Sequence, residues 1–161
     1  MERQSEVLDA VSKVDSVKLR ELAGYFSDES AIHQEQDTIK MAMITYCLHK
    51  IFIKLHMREK IEPLVQEAIR NISRGEFDRV LADIDEFDRK NGMFEGGLVG
   101  KAKIKISSRM QSRGISVTQS ASLTGAAVSD ILDYVGETRG YQHKEGKTVI
   151  ERLNIARDIF K

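Results

Sequence analysis

Cysteine, proline and tryptophan are nearly missing from this chain of 161 residues: there is one cysteine, one proline and no tryptophan. A lone Cys47 excludes an intrachain disulfide framework and a thiolate metal cluster. With Pro63 the only helix-breaking ring, long uninterrupted helices are expected. Net charge is also lacking, since 25 basic residues balance 25 acidic ones. Any nucleic-acid-binding surface therefore has to be local. No long apolar run occurs either. The most apolar stretch, Met41 to Leu55, is interrupted by Thr45, His49, Lys50 and Lys54 and is too short to span a bilayer. The opening residues Met1 to Glu6 lack the apolar centre of a secretory signal. The expectation is a cytoplasmic protein without a membrane partner.

What is present is ordinary globular material, 41% apolar and 31% charged. Its apolar residues recur at helical spacing, and no strand-like alternation persists. Val7, Leu8, Val11 and Val14 share one face, and Leu19, Leu22, Ala23 and Phe26 share another. Ser27-Asp28-Glu29-Ser30 reads as a turn. A long helix is then expected from about Ile32 to His56. Its apolar surface, with Met41, Ile44, Leu48, Ile51, Phe52 and Leu55 along the main stripe, is wider than one flanking helix pair can cover. That width predicts a homodimer. Pro63 fits the first turn of a further helix ending near Gly75, and Phe77, Val80, Leu81, Ile84 and Phe87 mark another closed by Asn91-Gly92. These two should pack antiparallel.

Gly96, Gly97 and Gly100 suggest a hinge, which divides the chain into an N-terminal helical bundle (1–95) and a C-terminal unit (96–161). In that unit a helix is expected from Leu98 to Arg113, stopped by Gly114. Ser116-Val117-Thr118-Gln119 is a capping box, and Thr148-Val149-Ile150-Glu151 is a second that opens a terminal helix. The polar segment Glu137 to Lys147 between them reads as a loop. The fold class is all-α.

Several chemical constellations dissolve on inspection. Gly96-Gly97-Leu98-Val99-Gly100-Lys101 lacks the first glycine, the Ser or Thr for magnesium and the preceding strand of a phosphate-binding loop. His49 and His56 are two helical turns apart, too far for a helical metal pair. Asp83, Asp85, Glu86 and Asp88 flank an apolar stripe and read as a solvated helix face. Cys47 lies among apolar neighbours as an inert thiol. No nucleophile, base and orienting group occur together, so neither an enzyme nor a cofactor is expected.

Val117 to Gly136 reads VTQSASLTGAAVSDILDYVG. With a small residue at Ala121, glycine at the turn position Gly125 and an inward Ile131, it resembles the helix-turn-helix motif of bacterial and archaeal transcription regulators. The resemblance covers about a quarter of the chain with the supporting helix included. The wider layout is similar to archaeal helical proteins with a helix-turn-helix near the C-terminus. Residues prompting this are Lys101 to Lys105, Tyr134-Val135-Gly136 and Glu151 to Arg157. The resemblance implies a DNA-binding transcriptional regulator. Ala127 stands where family members often carry a capping Ser or Thr, and Ala127, Val128, Ser129 and Asp133 offer no bidentate base contact.

A basic row supports the DNA reading. Lys101, Lys105, Arg109 and Arg113 recur every four residues, a line roughly 18 Å long at ~1.5 Å per residue. Such a row can follow a phosphate backbone, or pair with acids of the bundle. The expected DNA contacts are these four residues with Thr118, Ala127, Val128, Ser129, Arg139 and Lys144. The alternative is a non-enzymatic adaptor whose helix-turn-helix binds a protein partner.

Overall fold

The computed structural model describes residues 3–144. Among them the regular structure is entirely helical: α1 (Gln4–Ser12), α2 (Ser16–His33), α3 (Gln36–Phe52), a 3-10 turn (Leu55–Met57), α4 (Glu62–Ser73), α5 (Phe77–Asn91), α6 (Leu98–Ser112), α7 (Val117–Thr124) and α8 (Val128–Lys144). Among the described residues no helix is long and apolar enough to cross a membrane.

Helix α3 is the axis of the molecule. Its buried residues include Ile39, Met41, Met43, Ile44, Cys47, Leu48, Ile51 and Phe52, which cover more than half of its circumference, and Thr38, Ala42 and Thr45 on the remaining side. Helices α2, α5 and α6 pack around it, and α7 touches it at one end. Most of the broad apolar surface that predicted a dimer is thus covered within one chain; Leu55 is the exception, since α3 ends at Phe52 and not near His56, leaving it exposed. Met41, Ile44 and Leu48 are fully buried and Phe52 nearly so. No second copy is needed to shield them.

Besides the earlier end of α3, the helix boundaries differ from expectation in three places. Ser27 to Ser30 is not a turn, because α2 runs through it. Ser27 Oγ donates to the Ala23 carbonyl and Ser30 Oγ to the Phe26 carbonyl at 2.6 Å, so these buried hydroxyls are satisfied inside the helix. The break comes at Gln34, in the left-handed conformation with φ of 55°. Ile32 therefore ends α2, exposed, and does not begin α3. Third, α8 continues through the polar segment expected as a loop, at least to Lys144. No proline interrupts it, and Thr138 Oγ1 bonds the Tyr134 carbonyl one turn back. The expected terminal helix from Thr148 lies outside the described residues.

Helix α6 belongs to the same core. Leu98, Ala102, Ile106 and Met110 recur every four residues and are all buried. They join the residues of α1 to α5 in one apolar cluster, so the core passes residue 95 without interruption. The junction is held by Asp88, which is 3% exposed. Its carboxylate accepts from the Phe94 N–H at 3.0 Å and the Leu98 N–H at 2.7 Å, capping α6 from the end of α5. Asp88 is a buried cap, not part of a solvated acidic face. The solvated reading overlooked backbone donors that lie six and ten residues downstream.

Candidate interaction surface

The α7–α8 corner is built from local signals. Ser116 caps α7, its Oγ accepting from the Gln119 N–H at 3.2 Å. Gly125 closes α7 in the left-handed region (φ 72°, ψ 22°), and its N–H reaches the Ala121 carbonyl at 2.8 Å. Helix α8 starts after Ala127, and Ile131 points inward, fully buried. The two helices therefore meet at Gly125, as the sequence predicts.

A buried hydroxyl cluster locks this corner to α6. Ser107 Oγ and Thr124 Oγ1 are 2.6 Å apart, and Thr124 Oγ1 also donates to the Ser120 carbonyl at 2.9 Å. The Ala126 N–H bonds the same Thr124 oxygen at 3.3 Å. All three side-chain sites, Ser107, Ser120 and Thr124, are buried. The far side of α7 is tied to the bundle. The Gln36 side-chain amide donates to the Leu123 carbonyl at 3.2 Å, and the Gln119 amide to Gln34 Oε1 at 2.6 Å.

The basic row divides into two halves. Arg109 and Arg113 both grip Asp28 of α2 in forked pairs, with bonds between 2.8 and 3.2 Å. The hydrogen bond from Arg109 leads in holding the Asp28 carboxyl below its ordinary range, and the same bond raises the Arg109 guanidinium. These two cations are thus spent on the bundle. Lys105 instead donates to the Tyr134 hydroxyl at 3.0 Å and lies over its ring. Lys101 lies over the Phe94 ring. Among the described residues neither lysine has a carboxylate partner.

The chain matches no protein-family model, no curated protein and no solved structure.

Thr118, Ala127, Val128 and Ser129 are all exposed, on the outer side of the corner. Arg139 and Lys144 are backbone positions of α8, and their side chains lie outside the described set. The sequence contains no lysine, arginine or histidine between Arg113 and Arg139. Over the same span α8 exposes Asp130, Asp133 and Glu137. Leu132 is 53% exposed and Val128 37%, one turn apart on the same helix. The outward face is apolar and acidic.

The remaining candidates settle into structural roles. His49 Nδ1 lies 2.8 Å from the Ser16 carbonyl and donates to it, tying α3 to the start of α2. Burial raises the Cys47 thiol far above its ordinary range. The Leu98 N–H at the start of α6 is taken by Asp88. Among the described residues no three His, Cys, Asp or Glu side chains are grouped to hold a metal.

Proposed function

We propose that the protein is a non-catalytic adaptor whose α7–α8 corner docks a basic, apolar-faced segment of a protein partner. The observation that carries this reading is the outer face of α8. Val128 and Leu132 supply apolar contact on one flank, Asp130, Asp133 and Glu137 line the other, and α8 itself carries no cation up to Thr138, Lys105 of α6 reaching it at Tyr134. A helix entering a DNA groove meets phosphates on both sides, which such a face repels. A partner helix with leucines one turn apart and flanking lysines satisfies both halves of it.

Lys101 and Lys105 favour a second reading, DNA binding by a transcriptional regulator, because both cations are exposed and free of carboxylates among the described residues. One experiment separates the two. The full chain is titrated with a designed leucine–lysine helical peptide and, separately, with a mixed-sequence DNA duplex at low and high salt. The adaptor reading expects the peptide to shift the amide resonances of residues 128–137, and Leu132→Glu to abolish those shifts. Steeply salt-dependent duplex binding, lost when Lys101, Lys105, Arg109 and Arg113 are all changed to Ala, overturns it in favour of DNA.

A further inference from the structure

Opposite the acidic corner, the other end of the bundle is basic and carries exposed aliphatic side chains. The start of α2 and the end of α3 meet there, joined by the His49–Ser16 bond. The connection that follows α3 is pinned from inside by the buried Met57 and from one side by Lys54, which lies over the Phe94 ring at 4.5 Å. Anchoring Met57 inward leaves the preceding residues turned out. Leu55 is 69% exposed and Ile53 48%, while Val17, beside the Ser16 contact, is 68% exposed. Arg20 and Lys50 lie close enough to His49 to act on its charge, Arg58 and Lys60 follow Leu55 by three and five positions, and none of the four is paired with a carboxylate among the described residues. Asp15 and Glu21 at the start of α2, and Glu59 and Glu62 after α3, are the acids of these segments.

We infer that this end docks on the surface of an anionic lipid bilayer, with Val17, Ile53 and Leu55 entering the headgroup boundary and the four cations meeting lipid phosphates. The combination decides the occupant. Cations alone would suit any polyanion, but large aliphatic side chains held in water are relieved only by an apolar phase. Nucleic acid offers none, and single-strand binding calls for aromatic platforms, whereas Val, Ile and Leu are the apolar groups here. The contact is interfacial, and among the described residues no helix is long and apolar enough to span a bilayer. It is independent of the adaptor reading, since it uses the opposite end of the bundle.

The test is co-sedimentation of the full chain with phosphatidylcholine vesicles and with vesicles that also contain phosphatidylglycerol. Binding is expected to the anionic vesicles only and should weaken as salt is raised. Ile53→Glu with Leu55→Glu, both exposed and therefore tolerated by the fold, should reduce binding at least about tenfold. Each of Lys50→Ala, Arg58→Ala and Lys60→Ala should reduce it about fivefold. Far-UV circular dichroism and melting of each variant check that the fold is kept. No binding to anionic vesicles at low salt overturns the inference. So does binding that the double glutamate variant leaves unchanged, which would mean attraction to any polyanion. Light scattering that shows a dimer dissolved by the same double variant also overturns it, and assigns the patch to a second copy of the chain.

Discussion

At the residue scale, the strongest constraints come from single groups that satisfy buried backbone or fix a turn. Asp88 holds two N–H groups at the start of α6. Asp88→Ala leaves both without an acceptor and should cost about 3 kcal/mol, because a buried unsatisfied donor loses its full solvation. Urea denaturation checks this, and Asp88→Asn, which keeps one acceptor oxygen, should lose less. Gly125 is a different case. A Cβ there would meet Lys103 Nζ at 3.6 Å, ordinary contact, so the cost of Gly125→Ala lies in the backbone. At φ of 72° that cost should be about 1–2 kcal/mol, read as a lower midpoint in the same assay. His49 gives a pH signature. Burial is the main cause holding its folded-state pKa below the ordinary value of 6.5, so the unfolded chain takes the proton first. Stability should be full above that ordinary value and fall as pH drops through it. His49→Gln should flatten this part of the profile.

At the element scale, the sequence was legible wherever the signal was local. Leu64, Val65, Ala68 and Ile72 mark the buried face of α4, and Phe77, Val80 and Ile84 that of α5. Ser116 and Gly125 announce both ends of α7 because a cap and a left-handed turn depend on a few neighbouring residues. The basic row of α6 was visible too, as was the possibility that it pairs with acids of the bundle, but the partner was not. Asp28 lies 81 residues before Arg109, and nothing in the spacing of either helix reveals their pairing. The Ser107–Thr124 contact was missed for the same reason, since isolated hydroxyls in a helix give no pattern. Ser27 to Ser30 misled in the opposite direction, polar in sequence yet helical once its hydroxyls bond backward. The Asp28 pairs are partly exposed, so Asp28→Asn should change stability by less than about 1 kcal/mol. Because the arginines lower the Asp28 pKa, their contribution should be present above the ordinary carboxylate range and be lost as pH falls below it. Comparing the acid limbs of the wild type and Asp28→Asn checks this. A difference that vanishes in high salt is the expected result.

At the scale of the whole molecule, the apolar cluster decides how the chain folds. A hinge near residue 95 was expected to separate a bundle from a C-terminal unit. Yet Leu98, Ala102, Ile106 and Met110 sit in the same cluster as Leu19, Ile44 and Leu48. Helix α6 contacts α2, α3, α5, α7 and α8, so it links everything before it to everything after it. Removing α6 would uncover one side of α3, whose buried residues face every direction. A fragment of residues 1–95 should therefore keep helical signal but lose fixed side-chain packing. The expected readout is a collapsed amide spectrum in NMR, strong binding of an apolar dye and no cooperative melt. In the full chain, Leu48→Ala and Ile106→Ala, one on each side of the expected hinge, should each cost about 2–5 kcal/mol. Both should shift one and the same transition, with far-UV and tyrosine signals coinciding. Two separable transitions, with Ile106→Ala moving only the second, would show that the units are stabilised independently despite the shared core. A single transition moved by both would show that the α7–α8 corner is presented on the same folding unit as α3.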